Sequence, residues 1–288
     1  MSSLPAPSSQ IPLSKEGKLF RARIIERTDF SGDLWRIRVD PGGEFRYEPG
    51  QYATLGVVTP SKHVERAYSI VSSPYEDFLE FFFELVPQGE LTPLLYKLQV
   101  GDIFTCRRVA KGRFTLDTKS GRTNHLLLCT VTGIAPFVSY VRSLHRDSKN
   151  SRIEHKLFLI EAASHSSEFG YREEMEQLAA EVPWLTYIPT VSRPWDERDW
   201  HGESGRVDDL IREYVDHWNL NPRDTTVYLC GHPTMIENGK GILQRRGWQK
   251  DGIKEEVYFI PGKQQPPANK DGWTWPWRKL GSKHVDAA

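Results

Sequence analysis

From Lys18 onward the chain alternates. "KLFRARIIERTD" (18–29) and "LWRIRVD" (34–40) place apolar residues at nearly every second position, the period of a strand with one buried and one solvated face. "PGG" at 41–43 and "EPGQ" at 48–51 are turn signals. "QYATLGVV", "AYSIVSS", "LEFFFELV" and "DIFTCRRV" continue the series, with one short helical stretch at "LTPLLYKL". Many short strands divided by turns predict an antiparallel β-barrel or sandwich over residues 18–119.

The period then changes. "HLLLCT", "KLFLIEA", "LTYIPTVS" and "TVYLCG" are unbroken apolar runs, as expected of strands buried on both faces. Between them Ile134, Phe137, Val138, Val141 and Leu144 share one helical face, and Val207, Leu210, Ile211, Tyr214 and Trp218 share another. Strand–helix alternation predicts a doubly wound parallel α/β sheet over residues 120–260, with the boundary near "DTKSGRTN" (117–124). Residues 1–17 are rich in Ser and Pro and read as a flexible N-terminus. Residues 261–288 form an extension in which Trp273, Trp275 and Trp277 read as anchors for the tail.

Composition narrows the function classes. Lys+Arg and Asp+Glu both total 38, so bulk charge gives no argument for nucleic acid. Cys106, Cys129 and Cys230 are widely spaced, without a CxxC pair, which argues against a zinc or iron–sulfur site and fits a reducing, cytoplasmic compartment. The N-terminus lacks the basic-then-apolar pattern of a secretory signal, and no apolar run approaches the ~20 residues of a membrane span.

Candidate chemistry sits where strands end. "CTVTGIAP" (129–136) and "YLCGHPTM" (228–235) each stop an apolar strand at a turn containing glycine, before a helix whose N–H groups could cradle phosphate. Either alone is as easily a steric requirement of the turn. In "ERAYSIVSSP" (65–74), Arg66 and Tyr68 share a strand face: a fork for phosphate and a flat surface for a ring, with the Ser69 hydroxyl beside them. Ser192 and Arg193 follow a strand and Arg206 precedes a helix, a pair of sites suited to a 2′-phosphate; the alternative is that both arginines pair with Asp196, Glu197, Asp199 and Glu203.

"RAYS", the Gly-x-x-Thr of "GELT" (89–92), "TGIAP", "CGHP" and "EEVY" (255–258) occur in the order found in ferredoxin–NADP reductases. Over about residues 18–260 the chain resembles the bacterial type of that family, within the plant-type superfamily. The resemblance implies an FAD enzyme exchanging electrons between NADP(H) and a ferredoxin or flavodoxin, by hydride transfer between nicotinamide C4 and flavin N5. It implies that Arg66, Gly89 and Thr92 meet the FAD pyrophosphate, with Ala67, Leu85, Val86 and Leu91 also lining FAD. Tyr68 would stack on the flavin, Ser69 would lie near N5, and Tyr258 would cover the other face. Thr132, Gly133, Cys230 and Gly231 would face NADP, Ser192, Arg193 and Arg206 its 2′-phosphate. Glu256 would handle protons, and Phe259 would lean on the FAD adenine. Alternatives left open are a reductase component feeding an oxygenase and a flavin- or nucleotide-binding regulatory subunit without turnover. One departure stands out: Val131 occupies a position that is usually glycine in the family. Its side chain would either push the loop from the dinucleotide or sit in a turn that needs no positive φ.

Overall fold

A computed structural model describes residues 17–258. Residues 1–16 and 259–288 lie outside it, and with them Phe259, the tryptophan cluster and nearly all of the expected flexible N-terminus.

The alternating half forms six antiparallel strands: β1 (Leu19–Asp29), β2 (Leu34–Asp40), β3 (Tyr52–Val58), β4 (His63–Ser69), β5 (Leu79–Glu84) and β6 (Ile103–Arg107), in the order β4-β3-β6-β1-β2-β5. The sheet curls so that its two ends meet: Val71, just past β4, donates its N–H to Glu80 O in β5 at 2.9 Å. Phe20, Ala22, Ile24, Trp35, Ile37, Val39, Phe81 and Phe83 fill the interior. In β1 two isoleucines are consecutive, and a register shift between Ile24 and Glu26 accommodates them. Ile24 stays buried and Ile25 is turned out, 46% exposed, as a β-bulge allows. The one early helical stretch is α1 (Thr92–Tyr96).

The second half is a parallel sheet of β7 (Asn124–Thr130), β8 (Lys156–Ala163), β9 (Leu185–Val191), β10 (Glu203–Ser204), β11 (Thr225–Gly231) and β12 (Ile253–Val257), ordered β10-β9-β8-β7-β11-β12. Helices α2 (Ala135–Ser148), α3 (Arg172–Glu181), α4 (Val207–His217) and α5 (Pro233–Arg245) cover both faces. Both predicted helical stripes are inward: Ile134, Phe137, Val138 and Val141 pack in one apolar cluster, Val207 and Ile211 in another. The polar α3, which buries only Met175 and Leu178, carries little periodic signal in the sequence. Chain order reverses between β7 and β11, so the carboxyl ends of these neighbours border the crevice where open α/β sheets hold ligands.

The two halves meet over β5. All of Leu79–Phe83 is buried because the outward side of β5 lies under the second sheet's helices rather than water. Phe82 packs edge-on against Tyr171, and Gly170 gives its ring room: a Cβ there would stand 2.6 Å from it.

Candidate functional site

The crevice is built from two strand-to-helix turns side by side. At the end of β7 the chain passes through Val131 at φ +42 into a 3-10 turn (Val131–Ile134) and then α2. At the end of β11 it passes through Gly231 at φ +121, and the His232 side chain caps α5 by accepting the Thr234 N–H at 3.2 Å. The turns touch. A Cβ on Gly133 would stand 2.4 Å from Cys230 O, and one on Gly231 would stand 2.3 Å from Thr130 Oγ1. Thr130 Oγ1 also accepts the His232 N–H at 2.9 Å, tying one turn to the other. The sequence does not single out Thr130; a threonine ending a strand just before the glycine-containing turn is its only signal.

Onto this seam comes Tyr258, immediately after β12. Its hydroxyl donates to Ser69 Oγ at 3.2 Å and lies 3.3 Å from Thr132 O. The ring is 39% exposed, while the hydroxyl end is turned inward, so burial raises the phenol's pKa, with Cys230 and Glu256 adding to it. Ser69, at the end of β4, is 5% exposed, and the Cys230 thiol is buried and pushed up by that burial. Residues from four distant parts of the chain, Ser69, Thr132–Gly133, Cys230–Gly231 and Tyr258, therefore converge. Glu256 pairs in register with Cys230 across β11 and β12. Burial raises its carboxyl to about 7, and its Oε2 is buried without a hydrogen-bond partner.

The β4 end is arranged for a second ligand segment. Tyr68 rests edge-on against Phe83 at 4.8 Å and is partly buried, with Ala67 exposed beside it. Arg66 and Lys62 both pair with Glu90, inside the Gly-x-x-Thr motif. Within that motif the Thr92 hydroxyl is engaged by its own loop. It accepts the Val86 N–H at 3.0 Å and reaches Val86 O at 3.2 Å, closing the 86–92 loop. Leu91 turns into the barrel core, Leu85 is held through its N–H to Asp33 O, and Val86 is exposed. A cationic fork, two tyrosines reached from opposite strands, and two turns lined by glycine fit a flavin and a dinucleotide.

The arginines also resolve. Gly205 N–H bonds to Val191 O at 2.9 Å, so the segments carrying Ser192–Arg193 and Arg206 lie together at the ends of β9 and β10. Arg206 pairs with Asp208 at 3.2 Å, an acid outside the four named above. Among the described residues Arg193 has no carboxylate partner: Asp196 faces His165 at 3.4 Å, Glu197 accepts the Ser166 N–H at 2.9 Å, and Glu203 accepts from Tyr214.

Family models agree with this division. The oxidoreductase FAD-binding domain matches residues 21–115 and the oxidoreductase NAD-binding domain matches residues 127–240. A ferredoxin–NADP reductase of Azotobacter vinelandii is 30% identical over 240 residues, covering 78% of this chain and 89% of the relative. The chain belongs to the ferredoxin–NADP reductase family. It is an FAD-dependent, NADP-linked oxidoreductase. A flavodoxin/ferredoxin–NADP reductase of Escherichia coli K12 is 32% identical over 197 residues, covering 67% of this chain and 77% of the relative. The crystal structure of a Neisseria gonorrhoeae ferredoxin NADP+ reductase with bound FAD and NADP superposes with a TM-score of 0.74 at 25% identity, covering 84% of this chain and all of that one. No helix among the described residues is long and apolar enough to cross a membrane, and no group of three or more His, Cys, Asp or Glu among them could hold a metal.

Proposed function

We propose that the chain passes electrons between NADP(H) and a small acidic one-electron carrier, a ferredoxin or a flavodoxin, through FAD. The convergence of Ser69, Thr132, Cys230 and Tyr258 at the strand-order reversal supports this reading above all. Bound FAD would supply the redox chemistry, hydride exchange with nicotinamide and one-electron exchange with the carrier. The chain supplies orientation and a dry site.

Arg66 would leave Glu90 to hold the pyrophosphate, with Gly89 allowing close backbone approach. Tyr68 presents one flat wall and Tyr258 the other, and Tyr258 is the wall that yields to nicotinamide. The Ser69 hydroxyl offers a hydrogen bond at N5. Gly133 and Gly231 let the two turns pack against each other as one support for the dinucleotide, and Cys230 bounds it with a neutral thiol. Glu256, titrating near 7, can hold or release a proton beside Cys230. Arg193, without a carboxylate partner among the described residues, and Arg206, paired with Asp208, suit the 2′-phosphate that distinguishes NADPH.

For the carrier, the loop after β6 is the favoured face. Arg108, Lys111 and Arg113 are exposed there, with Val109 64% exposed among them. Lys111 and Tyr52 exchange backbone bonds at 2.8 and 2.9 Å, and Tyr52 pairs in turn with Ser69, so these cations stand one strand from the flavin side of the site. An acidic carrier would be steered there, and added salt would slow its reduction. The unpaired thiols of Cys106, Cys129 and Cys230 suit a cytoplasmic setting.

The test is a visible spectrum with flavin bands that bleach anaerobically with NADPH, followed by reduction of added ferredoxin or flavodoxin. Arg193→Ala should raise KM for NADPH roughly 10- to 100-fold, as expected on losing charge-assisted hydrogen bonds, and barely move it for NADH. Equal effects on both nucleotides would overturn the 2′-phosphate role, and a chain without flavin bands would overturn the whole reading.

A further inference from the structure

Glu80 lies in β5, is 0% exposed, and has no place in the site described above. Its Oε2 accepts from Arg38 Nε at 2.6 Å and lies 3.8 Å from Arg36 Nη1, both in the barrel. Its Oε1 accepts from Tyr171 Oη at 2.9 Å and is ion-paired with Arg142 Nη2 at 3.2 Å, both in the second half. Burial works to raise this carboxyl, but the Arg142, Arg38 and Arg36 guanidinium groups outweigh it and hold the pKa below the ordinary value. Arg142 is shared with Glu174 of α3, through contacts of 2.7 and 2.9 Å.

The backbone of Glu80 is committed as well. Its carbonyl accepts from Val71 and its N–H donates to Ser72 Oγ at 3.1 Å, two and three residues beyond Ser69. Arg142 belongs to α2, which grows directly out of the Thr132–Gly133 turn. Ser139, Arg142 and Ser143 stand at i, i+3 and i+4 on that helix and face the barrel together. Ser139 Oγ donates to Ser72 O at 2.7 Å, and Ser143 Oγ donates to Ser73 Oγ at 3.0 Å. One residue thus grips the strand extension that follows Ser69 and, through Arg142, the helix that carries the other turn about 14 Å away, at about 1.5 Å per residue.

Resting on the function proposed above, we propose that Glu80 is the positioning residue that sets the Thr132–Gly133 turn against Ser69, and so aligns nicotinamide with flavin. A buried ion cluster adds little net stability, because desolvation offsets most of the attraction, but it tolerates few alternative arrangements. An apolar seam would hold the halves together and still let α2 slide along its axis. The carboxylate, hydrogen-bonded to Arg38 and Tyr171 and ion-paired with Arg142, ties both halves together and admits one register.

The experiment uses the full chain loaded with FAD. In Glu80→Gln, amide exchange at 131–136 should rise while that at 231–236 stays unchanged. The limiting rate of flavin reduction by NADPH should fall about 10-fold or more, the sensitivity expected for sub-ångström misplacement, with KM moving less than about twofold. Glu174→Gln removes the partner Arg142 has within its own half; it should lower Tm yet leave rate and exchange near wild type. If Glu80→Gln lowers Tm alone, or if Glu174→Gln matches it in both readouts, the residue is merely structural and the proposal is overturned. Should Glu80→Gln fail to fold, Tyr171→Phe and Arg142→Lys carry the test under the same criteria, each weaker but in the same direction. A wild-type chain that NADPH does not reduce would overturn the proposed function, while the exchange comparison would still decide whether Glu80 holds the turn.

Discussion

The two turns at the crevice solve one geometric problem with different residues. Each must swing a buried strand into a helix within a few residues, and each passes through positive φ. The β11 turn does so at Gly231, which pays no steric penalty. The β7 turn does so at Val131, a β-branched residue for which that conformation costs about 1–2 kcal/mol. Among the described residues the only other non-glycine with positive φ is Asn219, a type that tolerates it. The Val131 side chain is packed inward, however. It is 8% exposed and packs in the apolar cluster with Phe137 and Val138, and burial of such a side chain contributes about 1.5–3 kcal/mol. Of the two readings of the sequence, the turn does need positive φ, and the side chain is directed into the core. The difference teaches that a glycine position can be kept in its conformation by a larger residue if the core takes up the side chain. Gly133, by contrast, has backbone where its Cβ would be.

Gly133→Ala should give the largest effect. Its methyl would meet Cys230 O at 2.4 Å, and neither turn can retreat without moving the other. A loss of about 3 kcal/mol in urea unfolding is expected, the upper end of overpacking costs. Flavin reduction by NADPH should fall by roughly 100-fold. A near-silent Gly133→Ala would mean the two turns are not packed as tightly as their geometry indicates.

Glu256→Gln probes the side next to the β11 turn. Burial raises this carboxyl to about 7, so the folded chain holds a proton there that the unfolded chain has released above about pH 4.5. Stability from this group is therefore full below that value and is lost as pH rises through 7. Glu256→Gln should raise Tm at pH 8 more than at pH 5, and should remove an inflection near pH 7 from the reduction rate. Glu84 and Glu161, raised by burial to about 7 and 8, would leave a residual slope in Tm. Equal Tm changes at the two pH values would assign the slope to those residues instead.

Val131→Gly is the smallest of the three. Strain relief of about 1–2 kcal/mol is set against lost burial of about 1.5–3 and the added chain entropy of glycine, about 0.5–1. The net expectation is a loss of about 1 kcal/mol, with KM for NADPH changed less than twofold. Markedly faster reduction by the glycine variant would show that the methyl groups do reach the dinucleotide.

Much of this was legible along the chain because periodicity reports burial directly. Alternation over Leu19–Asp29 and Leu34–Asp40 marked strands with a solvated face, and the apolar runs at His125–Thr130 and Thr226–Gly231 marked strands covered on both sides. The motif order from Arg66 to Tyr258 named the residues that meet at the crevice. Less legible was α3, whose polar sequence buries only two residues. Thr130 stayed hidden because its role is a bond to His232, about a hundred residues away in sequence.

The sequence by itself determined the two sheets, the helices with clear apolar faces, and the family to which the site residues belong, since each depends on local period or on residue type at a short spacing. Tertiary structure alone decided which charges are internal. In "LEFFFELV" nothing local marks Glu80 as buried; it is buried because the second half lies over β5, and three arginines and a tyrosine then make the burial tolerable. The direction of Val131, and which acids near Arg193 pair elsewhere, were decided in the same way. Local sequence specifies which groups a residue carries, but only packing specifies which other groups stand within reach.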